Sequence, residues 1–154
     1  MRAVVQRVIS ASVSVDKEVV SSIENGLLVL LGIKSDDTHK DRDYIIRKII
    51  NLRIFSDTEN KMNRTVVDSS GEILVVSQFT LYGDCSKGNR PSFVDAMSPQ
   101  KANIFYENFL QKIKQEYPKV KSGVFGKHMH IGLVNDGPVT ILLDSKKTCK
   151  AKVK

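Results

Sequence analysis

Val4-Val5-Gln6-Arg7-Val8-Ile9-Ser10-Ala11-Ser12-Val13-Ser14-Val15 is the stretch whose pattern decides the architecture. Val4, Gln6, Val8, Ser10, Ser12 and Ser14 share one parity; Val5, Arg7, Ile9, Ala11, Val13 and Val15 share the other. Alternation over that length reads as one long strand whose odd positions form the more apolar face. Asp16-Lys17 then offers a turn into a strand near residues 19–23, and Asn25-Gly26 gives a stronger turn signal before residues 27–33. The first third is expected to be a meander of strands.

Two helical patterns interrupt the strands. Asp36-Asp37-Thr38 supply capping oxygens, and Tyr44, Ile45, Ile46, Ile49, Ile50 and Leu52 follow at three-and-four spacing. Ser98-Pro99 opens the second helix, with proline where its missing N–H costs nothing; Ala102, Phe105, Tyr106, Phe109, Leu110 and Ile113 form its stripe, and Tyr117-Pro118 stops it. Between them lie a short strand at 52–55, a polar surface excursion at 56–64, a buried-looking strand at 73–79 and a glycine-bearing loop at 83–92. Residues 123–125, 129–134 and 139–143 are strand-like. The expected fold is a single α+β domain, a mainly antiparallel, barrel-like sheet packed with two helices. Residues 1–144 make the domain, and 145–154 a basic, lysine-rich tail.

A chain of 154 residues buries enough surface to fold without disulfides or metals. It carries 24 Lys+Arg against 17 Asp+Glu, a formal charge of +7, and Lys146, Lys147, Lys150, Lys152 and Lys154 place most of that excess in the tail. Such a run reads as a solvated end, although positive charge favours approach to a polyanion. No apolar stretch approaches the ~20 residues of a membrane span. The N-terminal residues carry scattered charge and lack the apolar core of a secretory signal, so a cytoplasmic protein with no membrane association is expected. Cys85 and Cys149 form no C-x-x-C pair, which argues against a disulfide framework and a zinc site.

Of the three histidines, His39 reads as solvated surface, and His128 and His130 share a strand face without a third ligand of clear spacing. Neither metal nor cofactor is expected, and no H-E-x-x-H, G-x-S-x-G, Walker A or G-x-G-x-x-G element is present. Two segments stand out. Ser77-Gln78-Phe79-Thr80 puts polar groups where a core strand should run, so they either bond internally or line a cleft at the strand end. Asn135-Asp136-Gly137-Pro138-Val139-Thr140 reads locally as a hairpin turn, and its Gly-Pro bond can adopt cis geometry.

Together with Met1–Val8, Lys61-Met62-Asn63, Gly88-Asn89-Arg90-Pro91-Ser92-Phe93 and Gly123-Val124-Phe125-Gly126, these two segments resemble the D-aminoacyl-tRNA deacylases of the widespread bacterial and eukaryotic type. The resemblance covers nearly the whole chain except the lysine tail. It implies hydrolysis of the ester between a D-amino acid and the 3′-terminal adenosine of tRNA, a proofreading activity, and it admits mischarged glycyl-tRNA as a further substrate. It also implies a homodimer in which Gly137 and Pro138, joined by a cis bond, enter the partner's site and reject L-amino acids by a clash at the α-carbon.

By the same resemblance Ser77, Gln78, Phe79 and Thr80 line the opposite wall, where main-chain amides would hold the ester carbonyl. Either Thr80 attacks as nucleophile or the ribose 2′-hydroxyl assists a water; the second is preferred, because no activating base stands near Thr80 in sequence. Met129 belongs beside the pocket or in the core. Arg7 secures the Gly-Pro turn or decorates a strand. Lys87, Asn89 and Arg90 offer tRNA phosphate contacts. The chain departs from the family pattern at Asn60, where glycine is common, and at Lys127-His128. The rival reading is a non-enzymatic tRNA- or RNA-binding protein on the same fold; a metallohydrolase using His128 and His130 is a third.

Overall fold

The computed structural model describes residues 1–148. Strand β1 (Arg2–Val15) is its spine. One edge pairs antiparallel with β2 (Glu18–Ile23) and β3 (Gly26–Gly32), the other with β8 (His130–Asp144). Asp16 and Lys17, both at positive φ (51° and 70°), make the two-residue turn the sequence suggested. Asn25-Gly26 does not reverse the chain. Strands β2 and β3 run on along the same edge of β1, from Val15↔Glu18 to Arg2↔Gly32, so the expected meander is one hairpin whose second arm is kinked. Gly26 is required for closeness: a Cβ there would sit 1.9 Å from the Glu72 carbonyl oxygen.

The sheet is mixed: besides the antiparallel pairs that β1 makes with β2, β3 and β8, which account for most of the pairing, it contains parallel ones. Strand β6 (Glu72–Ser77) lies parallel to β3, and β7 (Val120–Ser122) parallel to β6. Each parallel step needs a long crossover, which the two helices supply: α1 (His39–Asn51) between β3 and β6, and α2 (Pro99–Glu116) between β6 and β7. The result is a single α+β domain with a six-stranded, barrel-like sheet. The polar excursion contains a small exposed hairpin, β4 (Phe55–Ser56) with β5 (Met62–Arg64); Asn60 takes its left-handed position at φ 62°, which asparagine tolerates.

The sheet buries both faces. Ala3, Val5, Val29 and Val75 pack under Ile45 and Ile49 of α1 and Tyr106, Phe109 and Ile113 of α2. Val8, Ala11, Val13, Leu28, Leu74 and Val76 form a second cluster. The odd-parity rule holds for β1 except where its pairing with β8 shifts register: there Val8 is buried and Ile9 is half exposed.

Met1 and the residue that follows β8, Ser145, meet in a buried polar clasp. The Met1 α-ammonium donates to Asp37 Oδ1 (2.5 Å) and Ser145 Oγ (2.7 Å), and Ser145 Oγ donates to Asp41 Oδ1 (2.7 Å). Ser145 opens a one-turn helix, α3 (Ser145–Thr148), and Lys146 reaches Asp41 at 3.3 Å. Ser145 and Lys146, assigned to the tail from sequence, are thus docked on the domain; Cys149, Lys150, Lys152 and Lys154 lie outside the described residues. Burial pushes the Asp41 carboxyl up, but hydrogen bonds from Ser145, Thr38 and Lys146 outweigh it and hold the group far below its ordinary 3.8. Stabilisation by the carboxylate is therefore complete above pH 3.8 and lost as the pH falls toward the folded-state value. Urea titrations of parent and Asp41→Asn should show a stability gap that is constant from pH 7 to 5 and closes below pH 4, roughly the unfolded aspartate value. A gap independent of pH would show that the clasp does not depend on this charge.

Candidate active site

Strand β6 ends at Ser77, and the backbone tightens at once into a 3-10 turn, Phe79–Tyr82. The Gln78 amide is still tied to the sheet, donating to the Leu31 carbonyl at 2.7 Å. The next two amides, of Phe79 and Thr80, open the turn and have no acceptor within it. Polar residues break the core pattern here because the strand has reached a cavity of about 810 Å³.

Ser77, Gln78, Phe79, Phe93, Met97 and Met129 all line that cavity. Phe79 is 57 % exposed and meets Phe93 edge to face at 5.0 Å. Thr80 does not line the cavity: it is exposed, and its Oγ1 accepts a hydrogen bond from Gln78 Nε2 at 2.5 Å. The sequence left open whether these polar groups bond internally or face a cleft: Ser77 faces the cavity, Thr80 bonds internally, and Gln78 does both. Met129 lines the cavity and also packs against the second hydrophobic cluster, its Sδ 3.4 Å from the Val124 amide nitrogen.

No aspartate or glutamate lines the cavity. Its walls can offer shape, aromatic faces and main-chain donors, but no carboxylate base. His128 and His130 touch edge to face at 5.0 Å, and the described residues contain no grouping of three or more potential metal ligands.

The Asn135–Thr140 segment is not a hairpin. Residues on both sides of it pair with β1 in the same direction, Val8↔Asn135 and Gln6↔Thr140, so residues 136–139 are extruded from one continuous strand. Asn135 closes the base of this bulge, accepting from the Val139 amide (2.7 Å) and donating to the Val139 carbonyl (3.2 Å). The Gly137-Pro138 bond at its tip is cis, and Gly137 has φ 131°. Both residues are exposed and neither lines the cavity of its own chain.

Arg7 lies opposite the bulge, where the β1–β8 register shifts, and is 9 % exposed. Its Nε donates to the Asp136 carbonyl (3.2 Å) and sits 2.9 Å from Asp136 Oδ2, while Nη1 donates to the Ile54 carbonyl at 2.5 Å. The guanidinium joins the base of the Gly-Pro loop to the segment before β4. Sequence patterning could not decide between this role and a surface position, because the partners lie 47 and 129 residues away.

Lys87, Asn89 and Arg90 are exposed in the loop after the 3-10 turn and lie outside the cavity lining. Sequence reasoning missed the run from Phe93 to Ala102, which supplies a whole wall. Its hydrophobic residues read only as the approach to a helix, and the signal that places them is the Lys34↔Ala96 bridge, a long-range contact.

The family model described as D-Tyr-tRNA(Tyr) deacylase matches residues 4–144. The D-aminoacyl-tRNA deacylase of Thermosipho melanesiensis is 57 % identical over 148 residues, 96 % of this chain and 99 % of that protein. Its counterpart from Clostridium botulinum (strain Loch Maree / Type A3) is 57 % identical over the same shares of the two chains. A solved structure named c-Myc DNA Unwinding Element Binding Protein superposes with a TM-score of 0.90 at 47 % identity, covering 94 % of this chain and 98 % of the other. With the Ser77–Phe79 wall and the extruded Gly-Pro loop both inside the matched residues, the chain belongs to the D-Tyr-tRNA(Tyr) deacylase family.

Proposed function

We propose that this protein hydrolyses the ester of D-aminoacyl-tRNA, releasing free tRNA and a D-amino acid, and that it does so in the cytoplasm as a homodimer. The observation that carries the reading is the acid-free cavity at the end of β6, walled by Ser77, Gln78 and Phe79, in a chain 57 % identical to D-aminoacyl-tRNA deacylases. An aminoacyl ester on adenosine presents a base, a carbonyl and an amine, and the cavity offers a partner for two of these. The Phe79 and Phe93 rings are flat surfaces for a base. The Phe79 and Thr80 amides are donors for the carbonyl oxygen as it gains charge, and loss of one such donor costs about a hundredfold in rate or more.

The exposed position of Gly137 and Pro138 supports a shared site. The loop leaves the sheet beside the apolar side chains of Ile9, Leu133, Val134 and Leu142, all exposed in the single chain. A second copy packed on such side chains would bury apolar surface that the single chain leaves to water. Glycine at the tip presents backbone alone to the substrate α-carbon, so an L-side chain meets a wall where a D-substrate presents hydrogen. Arg7 is then a positioning residue for the loop.

Thr80 is poorly placed as the attacking group: its hydroxyl oxygen is engaged by the Gln78 amide, and it stands outside the cavity lining, which holds His128 but no carboxylate to take its proton. The preferred mechanism has the ribose 2′-hydroxyl assist an attacking water while the protein holds the ester. Thr80→Ala should therefore keep at least a tenth of the parental single-turnover rate, by the roughly 10²- to 10⁴-fold that loss of a true nucleophile or its base would remove. Loss of all chemistry with tRNA binding intact would restore the nucleophile.

The activity is tested with D-Tyr-tRNA and L-Tyr-tRNA, each with and without chelator, alongside sedimentation of the free protein. Release of the D-amino acid alone, insensitive to chelator, is expected from a dimer. Binding without release would favour a nucleic-acid-binding module, a reading given weight by the name of the 47 % identical structure; chelator sensitivity would favour a metal site.

A further inference from the structure

We infer that Lys127 is the phosphate contact of the cavity. It takes the internucleotide phosphate on the 5′ side of the terminal adenosine, and so makes this site prefer a polynucleotide ester to a nucleoside ester. The inference rests on the deacylase reading and adds to it the residue that recognises the backbone. Among the described residues Lys127 is the one of fixed charge in the cavity lining, where no carboxylate competes for it. It is exposed and makes no ion pair among the described residues, whereas Lys34, Lys61, Lys112, Lys121 and Lys146 each face a carboxylate.

Its backbone is fixed while its ammonium is free. The Lys127 amide donates to the Val124 carbonyl (3.3 Å), closing a turn with Gly126 at φ 73°. That turn leads directly into Met129, which lines the cavity, and thence into β8. The other groups on the wall have different chemistry: the Phe79 and Phe93 rings suit a base, and the amides at the end of β6 suit a carbonyl. A phosphodiester needs a cation, and Lys127 stands at the same cavity. Lys87 and Arg90 lie on a separate loop outside the lining, so they are placed for more distant phosphates. An unpaired ammonium on a flexible stem binds a phosphate as a point charge.

The test compares Lys127→Gln and Lys127→Arg with the parent protein on two substrates, D-Tyr-tRNA and 3′-O-D-tyrosyl-adenosine, which has no phosphate. For Lys127→Gln on the tRNA, KM should rise about tenfold with kcat little changed, and the dependence of log(kcat/KM) on log[salt] should flatten by about 0.7. On the adenosine ester the two proteins should be equal, and Lys127→Arg should behave as the parent on both. An equal loss on both substrates would assign Lys127 to the nucleoside or the chemistry, and no loss on either would remove it from the site; both outcomes overturn the inference. If the adenosine ester is not cleaved by the parent, the salt slope on tRNA decides. A parent protein inactive on both substrates would instead refute the deacylase reading.

Discussion

Gly137→Val is expected to reduce hydrolysis of D-Tyr-tRNA by at least a hundredfold while the protein remains folded. Two observations set the size of that effect. At φ 131° the residue occupies backbone space that side chains with a Cβ rarely enter, and a Cβ there would lie 2.7 Å from Val139 Cγ2 and 3.2 Å from Arg7 Nη2. The loop must rearrange to accept valine, and the new methyl groups stand on the surface proposed to face the substrate. Because Gly137 is exposed and lies in an extruded bulge, relaxation should cost only about 1–3 kcal/mol of stability. Circular dichroism should show a melting temperature lowered by a few degrees, and single-turnover deacylation should be nearly absent. Parental activity in this variant would place the loop outside the reach of the substrate.

Arg7→Ala carries the larger structural penalty. The guanidinium is buried and serves acceptors from two remote segments, the Ile54 carbonyl and, on Asp136, the backbone carbonyl and Oδ2. Removing it leaves two carbonyls without their donor, at about 1–3 kcal/mol each where they stay buried. A fall of about 6–12 °C in melting temperature follows for about 3 kcal/mol in a chain of this size. Deacylation should fall more than tenfold at temperatures where the variant is fully folded, because the Gly-Pro loop has lost its anchor. Arg7→Lys should recover part of the stability and little of the activity, since one ammonium cannot span all three acceptors as the planar fork does. Two variants with parental melting temperatures would show that water replaces the guanidinium and that the loop holds itself.

The comparison of pattern with structure separates what local chemistry encodes from what it does not. The alternation in β1, the Asp16-Lys17 turn and the two helices were legible because each depends on neighbours within about four residues. Pairing was not. Asn25-Gly26 has the composition of a hairpin turn, but its glycine answers to the Glu72 carbonyl, a contact 46 residues away in sequence that only the parallel β3–β6 pair creates. Asn135–Pro138 has turn composition for a similar reason: a bulge leaving a strand and a turn ending one ask for the same residues. Residues 123–125, expected as strand, instead follow the short β7, where the chain begins to turn toward the cavity. At the site, the Ser77–Thr80 anomaly was visible as polar groups in an apolar run. The free amides there depend on where the 3-10 turn begins, which no residue in the segment announces.

Those amides of Phe79 and Thr80 have a practical corollary for anyone dissecting the enzyme. Every side-chain replacement except proline leaves a peptide N–H in position, so an alanine survey of this wall would register the Phe79 ring and miss the donors proposed to hold the ester carbonyl. Substituting a backbone ester at either position, by incorporating an α-hydroxy acid, deletes the donor and nothing else. Chemistry held in the main chain is hidden from ordinary mutagenesis, and for the same reason it is sheltered from point mutation in the gene.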